Sequence, residues 1–270
     1  MKELIERRPL ISFYVLAYFI SWIIWIPLIF IGLDEDLRFV VMLIGVLGPM
    51  AAAIVVSTLT GTRREFWKRT LHWRVPVKWY IAAFGIPLVV LFLVLLINYL
   101  WGVPSGEGQA IQTIDAVPWF FYPLILLFMI FVGGGLEEPG WRGFAQERML
   151  KHFSPLAASI ILGVIWTYWH APLFFVPGSS QQGLHLGWYT GAIIGLSVTM
   201  TWLFIKSKGS ALLAIIFHGG INAINSWIPA FSVEVAGLTF SGFVVLEFVN
   251  ISVAIIIFSA NIKLFLKRID

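Results

Sequence analysis

Three short clusters place ionisable and amide side chains inside this chain's apolar stretches. The first is Glu137, Glu138 and Arg142, within Gly133-Gly134-Gly135-Leu136-Glu137-Glu138-Pro139-Gly140-Trp141-Arg142-Gly143. The second is Trp166 with His170, and the third is His218 with Asn222. Glu138 and Arg142 are four residues apart, so on a helix they pair, with the glutamate on the favourable N-terminal side. Glu137 then projects about 100° away, and no second cation in the local sequence neutralises it. Trp166 lies one turn from His170, and His218 and Asn222 share a helix face. A lone histidine in a membrane helix is more often an interhelical hydrogen-bond partner than a catalyst. Two histidines, an asparagine and a spare carboxylate on three spans together supply a base, an acid and neutral donors, the set that water-mediated attack on an amide requires.

Several chemistries are excluded by what is missing. The chain has no cysteine, hence no thiolate nucleophile or thiolate metal site. Its five histidines are followed by Trp73, Phe153, Ala171, Leu186 and Gly219, never by the glutamate of an HExxH zinc protease. Asp34, Asp36, Asp115 and Asp270 read as loop or terminal residues, so no intramembrane aspartate pair forms. Neither Ser179, Ser210 nor Ser241 has the surroundings of a serine intramembrane protease. His72, His152 and His185 fall in segments where water satisfies them. Glu247, in the last apolar stretch, is expected to face a polar groove or to snorkel outward.

The elements that must position these clusters are membrane helices. Of 270 residues, 59% are hydrophobic and 12% charged, against about 45 to 50% and 25% in soluble domains. The charges are gathered, leaving charge-free runs at 9–33, 39–62, 79–106, 116–136, 153–205 and 209–233, each long enough for the roughly 20 residues that span a bilayer. Division at Gly, Pro and polar breaks predicts an all-α polytopic membrane protein of eight helices: 10–31, 39–60, 79–101, 118–137, 155–176, 186–205, 211–229 and 240–266. Lys and Arg favour cytoplasmic loops. Eight spans put seventeen of the eighteen on one side, leaving Arg38 alone on the other, which predicts cytoplasmic N- and C-termini. The net charge of +4 reads as membrane orientation, with no nucleic-acid footprint. Arg63 to Arg74 mixes cations with Phe66, Trp67, Leu71 and Trp73, the composition of a helix lying at the headgroups. Its simplest role is an anchor, and its functional alternative is a docking surface for substrate or lipid. The expected organisation is 1–117, three spans with the interfacial segment 63–75; 118–230, a core bearing all three clusters; and 231–270, the last span and tail.

The clusters, in order, resemble the motifs of the CaaX protease and bacteriocin-processing (CPBP) family of intramembrane proteases, whose eukaryotic relatives are the type II CaaX prenyl endopeptidases. EExxxR is matched by Glu137, Glu138 and Arg142, and HxxxN by His218 and Asn222. The family's usual FxxxH is here Trp166 to His170, an aromatic-for-aromatic departure. The resemblance implies a multi-pass cell-membrane endopeptidase acting on a peptide or lipidated protein substrate. Glu137 and His170 would activate water, His218 and Asn222 would stabilise the oxyanion, and Glu138, Arg142 and Trp166 would support them. A divalent metal such as zinc stays open, with Glu137, His170 and His218 as its ligand set; metal-free catalysis fits the same residues and leaves Asn222 its oxyanion role. The rival readings are a non-catalytic scaffold or bacteriocin self-immunity protein on the same fold, then a transporter. One strain is evident. His170 lies 15 residues beyond Pro155, about 22 Å along a helix, whereas Glu137 falls at the predicted cytoplasmic end of span four. A cavity open to the cytoplasm, with span five starting in the cytoplasm or span four set higher, would let them meet.

Overall fold

A computed structural model describes residues 2–101, 118–225, 228, 232–235 and 238–268. After a short helix α1 (Lys2–Arg7), α2 (Pro9–Leu28) starts at a proline, whose missing amide hydrogen costs nothing in a first turn. Its residues Ile11, Val15, Phe19 and Ile23 point outward and are more than half exposed, an outer face suited to lipid rather than water. The expected span 39–60 begins earlier, because Asp34 caps α3 (Glu35–Val46) by accepting from Leu37 N. It then breaks at Leu47 into α4 (Gly48–Leu59). Pro49 causes the break: it has no N–H for the carbonyl of Gly45. Ser21 of α2 fills that vacancy, donating to Gly45 O at 2.8 Å while accepting from Trp169 Nε1 at 2.8 Å. Between membrane helices, where burial supplies no drive, such bonds add to van der Waals packing, each about 0.6 to 2 kcal/mol.

The interfacial segment folds as α5 (Arg63–Thr70), followed by α6 (Val77–Leu100). Beyond 118, α7 (Tyr122–Phe131) leads to a 3-10 turn (Gly134–Glu137), a π-helix (Pro139–Gln146) and the single turn α8 (Glu147–Met149). The expected span 118–137 is thereby corrected. The apolar path runs on to Met149, and every residue of the π-helix is buried, so the glutamates sit mid-path. Next come α9 (Pro155–Trp169), a 3-10 turn (Ala171–Phe174), α10 (Leu186–Lys206) and α11 (Ala211–Ile224). Span five was expected to run to 176; α9 stops at Trp169 because Pro172 cannot continue its hydrogen bonding. An antiparallel hairpin of β1 (Ser232–Val235) and β2 (Leu238–Ser241), pairing Ser232 with Ser241, precedes α12 (Gly242–Ala260) and α13 (Ile262–Leu266). The expected last span 240–266 is thus two helices that break at Asn261. The expected loop site of Asp115, the terminal Asp270, the 117 and 230 boundaries and the span end at 229 lie outside the described residues.

Five helical stretches among the described residues are long and apolar enough to cross a membrane: Pro9–Leu28, Glu35–Leu59, Val77–Leu100, Tyr122–Met149 and Leu186–Lys206. Pro155–Trp169, Ala211–Ile224 and Val244–Ala260 are shorter apolar helices. In the bundle α2 packs on α4, α10 lies between α9 and α12, and α11 lies against α6, α7 and the 3-10 turn that carries Glu137. Arg38, the cation set apart in the sequence, holds the turn after α9 by donating to Pro177 O at 2.9 Å.

Candidate active site

Glu137 and Glu138 stand where the 3-10 turn passes into the π-helix, a geometry frequent at functional sites. A local and a long-range constraint meet there. Pro139 withholds an amide hydrogen, and Gly140 packs so closely on Pro49 that a Cβ there would lie 2.5 Å from Pro49 O. The two acids then diverge. Glu138, fully buried, forms an ion pair with Arg142 at 2.9 Å and accepts from His218 Nδ1 at 2.8 Å through Oε1. Glu137, 3% exposed, is held by two indoles: Trp166 Nε1 donates to its Oε2 at 2.7 Å and Trp141 Nε1 at 3.2 Å.

His170 caps the C-terminus of α9. Its amide bonds Thr167 O rather than Trp166 O, and its ring Nδ1 meets Trp166 O at 2.9 Å. A carbonyl can only accept, so Nδ1 carries the hydrogen and Nε2 of the neutral ring keeps its lone pair. Trp166 thus holds both residues, Glu137 by its indole and His170 by its carbonyl. The same ring carries the Arg142 guanidinium, 4.6 Å from its centroid, and lies edge-on to His218 at 5.1 Å. Trp169 and Tyr189 pack edge-on against the His170 ring, at 4.6 and 5.6 Å.

On α11, the bond from His218 Nδ1 to Glu138 turns Nε2 the other way. A Cβ built on Gly134 would lie 2.4 Å from His218 Nε2 and 2.5 Å from Asn222 Nδ2, so these two nitrogens converge on one small space that only glycine leaves open. All seven residues expected from the sequence, Glu137, Glu138, Arg142, Trp166, His170, His218 and Asn222, lie in this one linked cluster. The axial strain between Glu137 and His170 is resolved by the continuation of the span beyond Pro139, which moves Glu137 inward.

The sequence reading missed Trp141 as a hydrogen-bond donor, Gly134 as the wall beside the two nitrogens, and Tyr189 beside His170. Trp141 had a signal: it follows Glu137 by four, as Arg142 follows Glu138. Glu247 is 5% exposed, so it does not snorkel outward. The proposed ligand set Glu137, His170 and His218 does not fit a metal in this arrangement. No three His, Asp or Glu side chains among the described residues converge on one point.

Fold and site define an all-α, membrane-type protein with a buried Glu-His cluster. Residues 118–224 match the family model described as Type II CAAX prenyl endopeptidase Rce1-like, a stretch that contains every residue of the cluster. A CAAX prenyl protease 2 of Methanococcus maripaludis is 28% identical over 232 residues, covering 78% of this chain and 81% of that protein. The chain is therefore homologous to CAAX proteases over part of its length, at low identity.

Proposed function

We propose that this protein is an intramembrane endopeptidase that hydrolyses a peptide bond with water activated by Glu137 and His170. The carrying observation is the double hold of Trp166, which ties a carboxylate and an imidazole with a lone-pair nitrogen to one residue. Glu137 Oε1, the oxygen left over by the two indoles, and His170 Nε2 are the acceptors that take a proton from water as it attacks the scissile carbonyl. The oxyanion forms beside Gly134, where His218 Nε2–H and Asn222 Nδ2–H donate to it; each such donor is worth about 10²- to 10³-fold in rate. Glu138 balances the charge His218 bears when both its nitrogens donate, and Arg142 in turn fixes Glu138. The proton held by the Glu137-His170 pair then passes to the leaving amine, and the C–N bond breaks.

The similarity to CAAX proteases supports a peptide or lipidated C-terminal segment as substrate, met near the membrane face where Lys and Arg gather, with both chain termini on that cytoplasmic side. No step requires a metal ion. The test is turnover of a reporter peptide by the full chain in liposomes. Glu137→Gln and His170→Ala are expected to abolish cleavage while melting in detergent as the wild type does, and chelation is expected to leave wild-type turnover unchanged. Full turnover by either variant overturns the mechanism, and selective loss of turnover on chelation, restored by zinc, overturns its metal-free form. The proteins whose new N-termini vanish from cells lacking this chain identify the substrate, and a scaffold would leave those termini unaltered.

A further inference from the structure

The helix α5 and the loop that follows it form an open cleft of about 550 Å³. Its walls include Arg64, Lys68 and Arg74 with Trp67, Leu71 and Trp73. Leu71 and Trp73 are 60% and 62% exposed, an apolar rim beside three cations. The cations point outward and have no acidic partner among the described residues; Glu65, the one acid of α5, pairs with none of them. Arg69, on the inner side, is by contrast taken up by Glu147 at 3.1 Å.

The cleft is held rather than loose. Tyr80 Oη donates to Trp73 O at 2.7 Å and Ser210 Oγ to His72 O at 2.6 Å, fixing the loop to α6 and to the start of α11. The Arg74 guanidinium lies 5.1 Å from the Trp73 ring centroid. Beneath, Phe66 and Thr70 are buried, and Thr70 Oγ1 would lie 3.1 Å from a Cβ on Gly143 of the π-helix. The element therefore joins two stretches long and apolar enough to cross a membrane, α3–α4 and α6, with its apolar face inward and its cationic cleft outward, the arrangement of a segment suited to lie among lipid headgroups.

We propose that this cleft is a binding site for the headgroup of an anionic phospholipid, with Arg64, Lys68 and Arg74 on the phosphate and Leu71 and Trp73 against the glycerol and upper acyl chain. Charge decides the class: three unpaired cations attract an anion, and exposed Trp and Leu beside them favour one tethered to hydrocarbon over one free in water. Each basic residue at a membrane surface is worth about fivefold in affinity for anionic lipid, so removal of three is on the order of 100-fold.

Native mass spectrometry of the full chain, in micelles holding equal phosphatidylglycerol and phosphatidylcholine, tests this. The wild type is expected to retain phosphatidylglycerol selectively. Arg64→Ala/Lys68→Ala/Arg74→Ala is expected to lose that selectivity with an unchanged melting temperature, whereas Lys206→Ala/Lys208→Ala/Lys263→Ala keeps it. Equal loss in both triple variants would show a diffuse field and overturn the site. Retention in the first variant, or full displacement of the lipid by the same concentration of glycerol 3-phosphate, overturns it also. None of these readouts depends on proteolysis.

Discussion

Replacement of Trp166 by phenylalanine isolates the contact on which the site turns. Trp166→Phe keeps a ring for the Arg142 guanidinium and for the edge of His218, and it leaves the backbone carbonyl that holds His170 Nδ1. It deletes one thing of consequence, the Nε1–H that reaches Glu137 Oε2 at 2.7 Å. A hydrogen bond to a charged group contributes about 1.5 to 3 kcal/mol. At about 1.36 kcal/mol per decade, that corresponds to a loss of kcat on the order of 10- to 150-fold. Trp141 still donates, but at 3.2 Å, so residual turnover is expected, in keeping with the phenylalanine usual in the family that the motif resembles. The smaller ring also leaves a void worth about 1 kcal/mol of stability, read separately by thermal melting in detergent.

The assay is steady-state cleavage in liposomes, with rates normalised to folded protein. Because Trp166 holds the base and touches no substrate, kcat is expected to fall with KM nearly constant. Trp141→Phe/Trp166→Phe, which leaves Oε2 without a donor, is expected to cost more than the two single changes combined. A purely structural Trp166 would lower melting without this split. If Trp166→Phe keeps more than about half the wild-type kcat, or the double variant is additive, the indole clamp is not what aims Glu137.

Gly134→Ala places a methyl group 2.4 Å from His218 Nε2 and 2.5 Å from Asn222 Nδ2; the ends of both side chains must move, so turnover is expected to fall about 100-fold or more with a small change in melting. Wild-type turnover in Gly134→Ala would remove the oxyanion role from that space. Ser21→Ala orphans the carbonyl of Gly45 and the indole N–H of Trp169, at about 1 to 3 kcal/mol. It is expected to lower the melting temperature while kcat per folded molecule stays level, since Ser21 braces helices rather than chemistry.

Much of this was legible before any fold was known, for physical reasons that attach to particular residues. Charged and amide groups are costly within hydrocarbon, so Glu137, His170, His218 and Asn222 stood out against their neighbours. The spacing of Glu138 and Arg142 announced their ion pair. Illegible were contacts that depend on a third dimension. An indole is apolar by composition, so Trp141 read as packing and Trp166 as a support without a stated contact, until their N–H groups were seen to share one oxygen. The mid-path position of Glu137 was equally hidden, because Glu137 and Glu138 look like the end of a span when the polar residues that follow, buried against α4, α5 and α11, are read as solvated.

By itself the sequence determined the class: too few charges for water, clustered so as to leave bilayer-length runs, and a fixed order of acid, histidine and histidine-asparagine motifs. Spacing gave Glu138 to Arg142 and left Glu137 over; only the tertiary structure decided what else holds each of them. Glu137 and Glu138 are adjacent and chemically identical. The junction of a 3-10 turn with a π-helix sends one to Arg142 and His218 and the other to two tryptophans. The bond from His218 to Glu138 and the two indoles on Glu137 depend on the closeness of Gly140 to Pro49 and on the missing hydrogen of Pro139, a long-range and a local constraint that spacing alone does not combine.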